Sequence, residues 1–153
     1  MAPVLRIPNN EDPFKLSTDT SDFATEVVLS QKDMQTNLWH PVAFFSKSLD
    51  VHERNYEIYD KELLAVIWGL EEYRHHLEGH LYKIEIWSDH QKLTFFRTAQ
   101  KLTRRQVRWA LFITHFDFVL VKNFIQPYLH QLFDDSHNLK GYGKPSKRLF
   151  NQC

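Results

Sequence analysis

The sequence predicts an α/β domain built on a mixed sheet, and three observations carry that expectation. Apolar and polar residues alternate near the N-terminus, apolar residues recur at helical spacing between Tyr59 and Leu77, and a second alternating run after that helix closes on an acid. Strands on both sides of a long helix are the pattern of a sheet with a helical crossover.

The first strand is read at Phe14 to Thr20, where Phe14, Leu16 and Thr18 alternate with Lys15, Ser17 and Asp19. A period of two places Asp19 on the face opposite Phe14 and Leu16. Thr20, Ser21 and Asp22 form a turn-like break before Ala24 to Gln31, where Val27, Val28 and Leu29 favour a strand. Val42 to Phe45 supplies a third strand after the polar stretch around Asn37, and the three can pair as an antiparallel meander. Leu63, Val66, Ile67, Leu70 and Leu77 then mark one helix, with Gly79 at the C-cap position. In the fourth strand Ile84, Ile86 and Ser88 alternate with Glu85, Trp87 and Asp89. It is expected to lie parallel beside a central first strand. Two shorter helices at about Gln91 to Arg97 and Thr103 to His115, and a fifth strand at Phe116 to Val121, complete the order.

Bulk properties bound the function. A chain of 153 residues, 42% hydrophobic and 25% charged, is long enough for one domain with its own core. Cys153 is the single cysteine, so the chain forms no internal disulfide; a reducing, intracellular setting, cytoplasmic or nuclear, is expected. The N-terminus lacks the apolar core of a signal peptide, and no run approaches membrane-spanning length. Formal net charge is zero, so attraction to a nucleic acid has to come from local patches.

The chemistry-bearing pattern is a set of three carboxylates on separate elements. Asp19 and Asp89 fall at or near strand ends, and Glu62 lies in the first turns of the long helix, one residue before its apolar stripe. Carboxylate oxygens suit magnesium or manganese, and two such ions about 3.5–4 Å apart can stabilise the attacking and leaving oxygens of a phosphodiester. Spacing alone does not single these acids out among 19 Asp and Glu residues.

The surrounding residues do. Ser17-Thr-Asp-Thr-Ser-Asp-Phe-Ala24, His40-Pro-Val-Ala-Phe-Phe-Ser-Lys47, Glu53-Arg-Asn-Tyr56, Asp60-Lys-Glu-Leu-Leu-Ala65, Trp87-Ser-Asp-His90 and Leu102-Thr-Arg-Arg-Gln106 follow one another in order. Together they resemble the successive signatures of the RNase H-like domain that follows the polymerase in gypsy-type long-terminal-repeat retrotransposon polyproteins. The resemblance spans roughly Pro3 to Val121, and even the opening Ala2-Pro-Val-Leu5 is similar to the segment that joins the two domains. It implies the RNase H-like fold, a five-stranded mixed sheet flanked by helices, with three antiparallel strands and then parallel additions. It also implies a hydrolase that cleaves the RNA strand of RNA:DNA hybrids with two Mg2+ ions, Mn2+ being an alternative. Asp19, Glu62 and Asp89 would be three metal-binding, catalytic acids, and a metal-activated water would attack in line, leaving 3′-hydroxyl and 5′-phosphate ends. The partners implied are the hybrid and a polymerase domain of the same polyprotein. The division that follows is a connector over 1–13, an RNase H-like domain over 14–122 and a divergent tail over 123–153.

Two departures from that pattern stand out. Glu26 occupies a position where the family usually has Gly, and its bulk is expected to crowd the hybrid or disturb strand pairing. After Val121 the family's motif with the fourth metal-binding acid is absent, and Ser146 stands where that acid would be. Ile125, Tyr128, Leu129, Leu132 and Phe133 fall at helical spacing, so the tail is read as a short helix and then disordered chain. Asp134 and Asp135 at that helix end read better as solvated groups than as replacement ligands. Weak activity is expected. The alternatives are an inactive remnant serving as a nucleic-acid-binding module, and an interaction domain docking a polymerase through its aromatic surface, aromatics being 14% of the chain.

Four further features bear on binding. Lys101, Arg104, Arg105 and Arg108 are expected to share a helical face, either touching hybrid phosphates or simply solvated. His75, His76 and His80 lack the further ligands of a zinc site and read as surface groups at a helix end. His90 reads as local architecture, and Trp39, Trp68, Trp87 and Trp109 as core.

Overall fold

The computed structural model describes residues 4–88 and 101–122. Strands β1 (Phe14–Thr20), β2 (Ala24–Asp33) and β3 (Leu38–Ser48) come first. The helices α1 (Val51–Arg54), α2 (Ile58–Glu72) and α3 (Arg74–Leu77) follow, then β4 (Ile84–Ser88), α4 (Arg104–Ile113) and β5 (Phe118–Lys122). The strands form one sheet in the order β3-β2-β1-β4-β5. β2 is antiparallel to both β1 and β3, whereas β4 is parallel to both β1 and β5. The central, parallel placement of β1 beside β4 is the one anticipated from the crossover.

β1 runs through the middle of the sheet with its two faces differentiated by the period of two. Phe14 and Leu16 join Val27, Leu29, Ile84 and Ile86 under α2, which contributes Leu63, Val66 and Leu70 to the same core. Gly69 lets the helix approach closely: a Cβ there would lie 2.9 Å from Val27 Cγ1 and 3.0 Å from Leu16 Cδ2. Gly69→Ala should therefore be destabilising by roughly 1 kcal/mol in thermal or urea unfolding, because an overpacking cost of about 1–3 kcal/mol outweighs the ~1 kcal/mol gain in helix propensity. A variant as stable as the parent would show that the packed strands yield without cost.

Three expectations are corrected by tertiary structure. The third strand is longer than its apolar segment, because its backbone pairs with β2 from Leu38 opposite Asp33 to Ser48 opposite Ala24. The helical stripe from Tyr59 to Leu77 is two helices, since ψ is +19° at Tyr73, outside helical values. Tyr73 nevertheless stays in the core with Leu77 and Gly79 takes the positive φ expected of a helix end, 73°. Phe116 is buried ahead of β5 rather than inside it. The short helix α1 was not anticipated; Asp50 and Glu53 close a reciprocal capping box around it. The helix expected at Gln91 to Arg97 and the one expected in the tail lie outside the described residues.

Candidate active site

Asp19 is the sixth residue of β1, on the face opposite Phe14 and Leu16, and its Oδ1 accepts a hydrogen bond from the Thr20 backbone N–H at 2.9 Å. Glu62 is the fifth residue of α2 and is 3% exposed. It precedes Val66 by one helical turn and Gly69 by two, which puts it on the stripe of α2 that packs against β1 and β2. The elements carrying Asp19 and Glu62 thus adjoin directly. Asp89 follows Ser88, the last residue of β4, and lies outside the described residues, as do His90, Asp134, Asp135 and Ser146.

Cross-strand register adds a neighbour that sequence patterning did not connect with the site. Asp19 is directly opposite Glu26, and Glu26 is 4% exposed. Directly opposed residues of an antiparallel pair project from the same face. The expectation that Glu26 disturbs strand pairing is not met: the ladder passes Glu26 without a shift, opposite Asp19 on one side and Ser46 on the other. The only irregularity between β2 and β3 falls at Leu29 and Ser30.

Thr18 and Thr20 of β1 and Ser88 of β4 lie on the other face, and their buried hydroxyls have no hydrogen-bond partner among the described residues. Polar groups in this state are uncommon in a protein interior. The acids supply only oxygen donors, which suits a hard divalent cation such as magnesium and disfavours softer metals. Among the described residues, to which Asp89 does not belong, no three His, Cys, Asp or Glu side chains group as a metal site.

The basic cluster does not stay together. Arg104 and Arg108 are exposed on α4, and Lys101 is exposed ahead of it. Arg105 instead turns inward, donating from Nη2 to Asp60 Oδ2 at 2.5 Å while its guanidinium lies 3.7 Å from the Tyr56 ring centroid. Gln106 Nε2 donates to the other oxygen of Asp60 at 2.9 Å. The shared face expected for Lys101, Arg104, Arg105 and Arg108 is therefore corrected for Arg105, whose partner Asp60 is 6% exposed. Burial lowers the Arg105 pKa, but the hydrogen bond and charge of Asp60 more than offset this and leave it raised. Arg105→Ala should cost roughly 1–3 kcal/mol in urea unfolding, since it leaves a buried carboxylate short of its cation. An unchanged midpoint would mean that Gln106 suffices.

The histidines and tryptophans are placed as follows. His80 Nε2 lies 3.0 Å from the Asp12 carbonyl oxygen, and its ring meets Phe14 edge-on at 4.9 Å between centroids. The His75 and His76 rings lie 4.0 Å apart between centroids with their planes tilted by 44°, and burial, then the charge of His75, lowers the His76 pKa. Trp68 is buried with Leu49 and Leu64, and Trp109 packs on that cluster. Trp39 and Trp87 are only half-buried, and Lys15 Nζ lies 4.8 Å and 4.6 Å from their rings. Burial lowers the Lys15 pKa, opposed by the charge of Glu85.

Comparison with known proteins bears on the whole arrangement. The family model described as the RNase H-like domain found in reverse transcriptase matches residues 9–116. The chain is 36% identical over 116 residues to the retrovirus-related Pol polyprotein from transposon 297 of Drosophila melanogaster, covering 76% of this chain and 10% of that protein. It is likewise 36% identical over 118 residues to the transposon Tf2-3 polyprotein of Schizosaccharomyces pombe, covering 76% of this chain and 9% of that one. The chain thus spans about a tenth of the curated relatives it matches. Among solved structures, the foamy viral protease-reverse transcriptase in complex with RNA/DNA hybrid superposes with a TM-score of 0.62 at 18% identity, covering 82% of this chain and 17% of that one. The same protein's dRH form in complex with double-stranded DNA gives 0.64 at 15% identity, covering 80% and 22%. At these identities the likeness concerns the fold.

Proposed function

This chain belongs to the family of RNase H-like domains found in reverse transcriptase, and from that membership we propose that it hydrolyses the RNA strand of RNA:DNA hybrids using divalent ions held by Asp19, Glu62 and Asp89. The observation that carries this reading is the parallel register of β1 with β4. Ser17 pairs with Trp87, and by count Asp19 is two residues beyond the first and Asp89 two beyond the second. Together with the packing of α2 on β1, this register supports the reading that the three acids serve one site.

Asp19, Glu62 and Asp89 would hold the magnesium ions, which would supply positive charge to the attacking and leaving oxygens of the scissile phosphodiester. The residues of the chain hold and orient. The Thr20 amide fixes one oxygen of Asp19, and the long helix fixes the height of Glu62 against the sheet. No side chain is required as a covalent nucleophile. A polymerase domain of the same polyprotein is the expected neighbour, as the names of the Pol polyprotein relatives suggest. Among the described residues no helix is long and apolar enough to cross a membrane.

From the divergence of the sequence after Val121 we infer a rate well below that of an intact family member, with manganese supporting more residual cleavage than magnesium. The test is a labelled RNA:DNA hybrid incubated with each metal, beside a chimera in which everything after Val121 is replaced by a family-like basic turn and acid-bearing helix. Cleavage confined to the RNA strand and a faster chimera are expected. Equal rates would reject the account of the tail. The same observation supports a second reading, a hybrid-binding module without activity, which would appear as binding without cleavage in the parent and cleavage only in the chimera.

A further inference from the structure

Phe23 stands in the turn between β1 and β2, four residues after Asp19, and is 56% exposed. Leaving a phenylalanine this open forgoes much of the roughly 1.5–3 kcal/mol that its burial would contribute. The turn that carries it is firmly built. Ser21 Oγ accepts from the Phe23 N–H at 3.2 Å and the Ala24 N–H at 2.9 Å, and the Ser21 N–H donates to the Ala24 carbonyl at 2.8 Å. The Phe23 carbonyl accepts from the N–H of Leu49, itself 1% exposed, at 2.7 Å.

The same Leu49 positions a cation beside the ring. Arg54 Nε donates to the Leu49 carbonyl at 3.1 Å, and the Arg54 guanidinium carbon lies 5.5 Å from the Phe23 centroid. Arg54 is exposed and ends α1, just ahead of the helix that bears Glu62. Lys61, one residue before Glu62, reaches back to Asp22 at 3.8 Å and ties the turn to that helix. An exposed aromatic ring and an exposed guanidinium are therefore held together on the rim between the elements that carry Asp19 and Glu62.

We propose that Phe23 and Arg54 form a nucleic-acid contact on this rim, with Phe23 stacking on a base or sugar of the hybrid and Arg54 pairing with an adjacent phosphate. The proposal rests on the reading of Asp19, Glu62 and Asp89 as a hybrid-cleaving site. The chemistry favours a nucleic acid as occupant, because aromatic faces accept any base by stacking and a guanidinium matches a phosphate in charge and geometry. A protein ligand would not require the pair to sit beside acids suited to a phosphodiester-bound cation.

The test is fluorescence anisotropy of a labelled RNA:DNA hybrid with the full chain, calcium replacing magnesium so that binding is read without cleavage. Phe23→Leu keeps apolar bulk but removes the π-face, and should weaken binding by roughly ten-fold, whereas Phe23→Tyr should bind like the parent. Arg54→Ala should weaken binding several-fold and lower the slope of log K against log salt by about one. Thermal melts of the two Phe23 variants should match the parent, since the ring is exposed, and Arg54→Ala should lower the melting temperature only slightly, through the loss of its hydrogen bond to the Leu49 carbonyl. Unchanged binding by Phe23→Leu and Arg54→Ala, with the parent binding normally, would overturn this proposal and leave the acid site untouched. A parent that neither binds nor cleaves the hybrid would overturn the functional reading itself, and this contact with it.

Discussion

Asp19→Asn is expected to lower hybrid cleavage by about 10²–10³-fold, the loss typical when one preorganised electrostatic partner of a transition state is removed. The substitution is nearly isosteric and leaves an oxygen able to accept from the Thr20 N–H at the 2.9 Å position, so the strand end should keep its shape. What it removes is the negative charge that holds a divalent ion. Glu62→Gln should fall in the same range, since the amide keeps the size of this buried side chain, 3% exposed, and removes its charge. The decisive measurement is initial rate on a labelled hybrid across a magnesium series, with a melt of each variant alongside. Cleavage by Asp19→Asn at the parent's rate would remove Asp19 from the chemistry and assign the observed activity to some other centre.

Leu16→Ala should be the most damaging single change to the fold, costing about 2–5 kcal/mol of unfolding free energy. Leu16 is fully buried on the central strand. It pairs with Leu29 across to β2 and with Ile86 across to β4, and it packs beneath Gly69 of α2. The cavity left by truncation has rigid walls on three sides, two paired strands and a helix already in close approach, so it has little freedom to collapse. Urea unfolding of parent and variant gives the difference directly. A cost under about 1 kcal/mol would mean that α2 settles toward the sheet, and Gly69→Ala in the Leu16→Ala background should then become stabilising.

The two expectations separate chemistry from architecture. Asp19 and Leu16 are three residues apart on one strand but on opposite faces, so one variant should lose rate at constant stability and the other stability first.

Local patterning determined much of this protein. The alternation of Phe14 to Thr20 specifies a strand with Asp19 on the face away from the core, and the stripe beginning at Leu63 specifies the helix that brings Glu62 to the sheet. Thr103 and Gln106 specify the start of α4, where both halves of a capping box form. These signals are legible because side-chain direction within a strand or helix follows from a period of two or 3.6, whatever the rest of the chain does. Only tertiary structure decided which acids become neighbours and which cations are already engaged. Glu26 meets Asp19 through a strand register that depends on the whole pairing of β1 with β2. Arg105 leaves the basic face for Asp60, a partner 45 residues away that helical spacing does not reveal. Residues distant in sequence meet only when elements pack, and the energy of a buried ion pair or a cross-strand contact depends on that meeting rather than on either residue's local pattern.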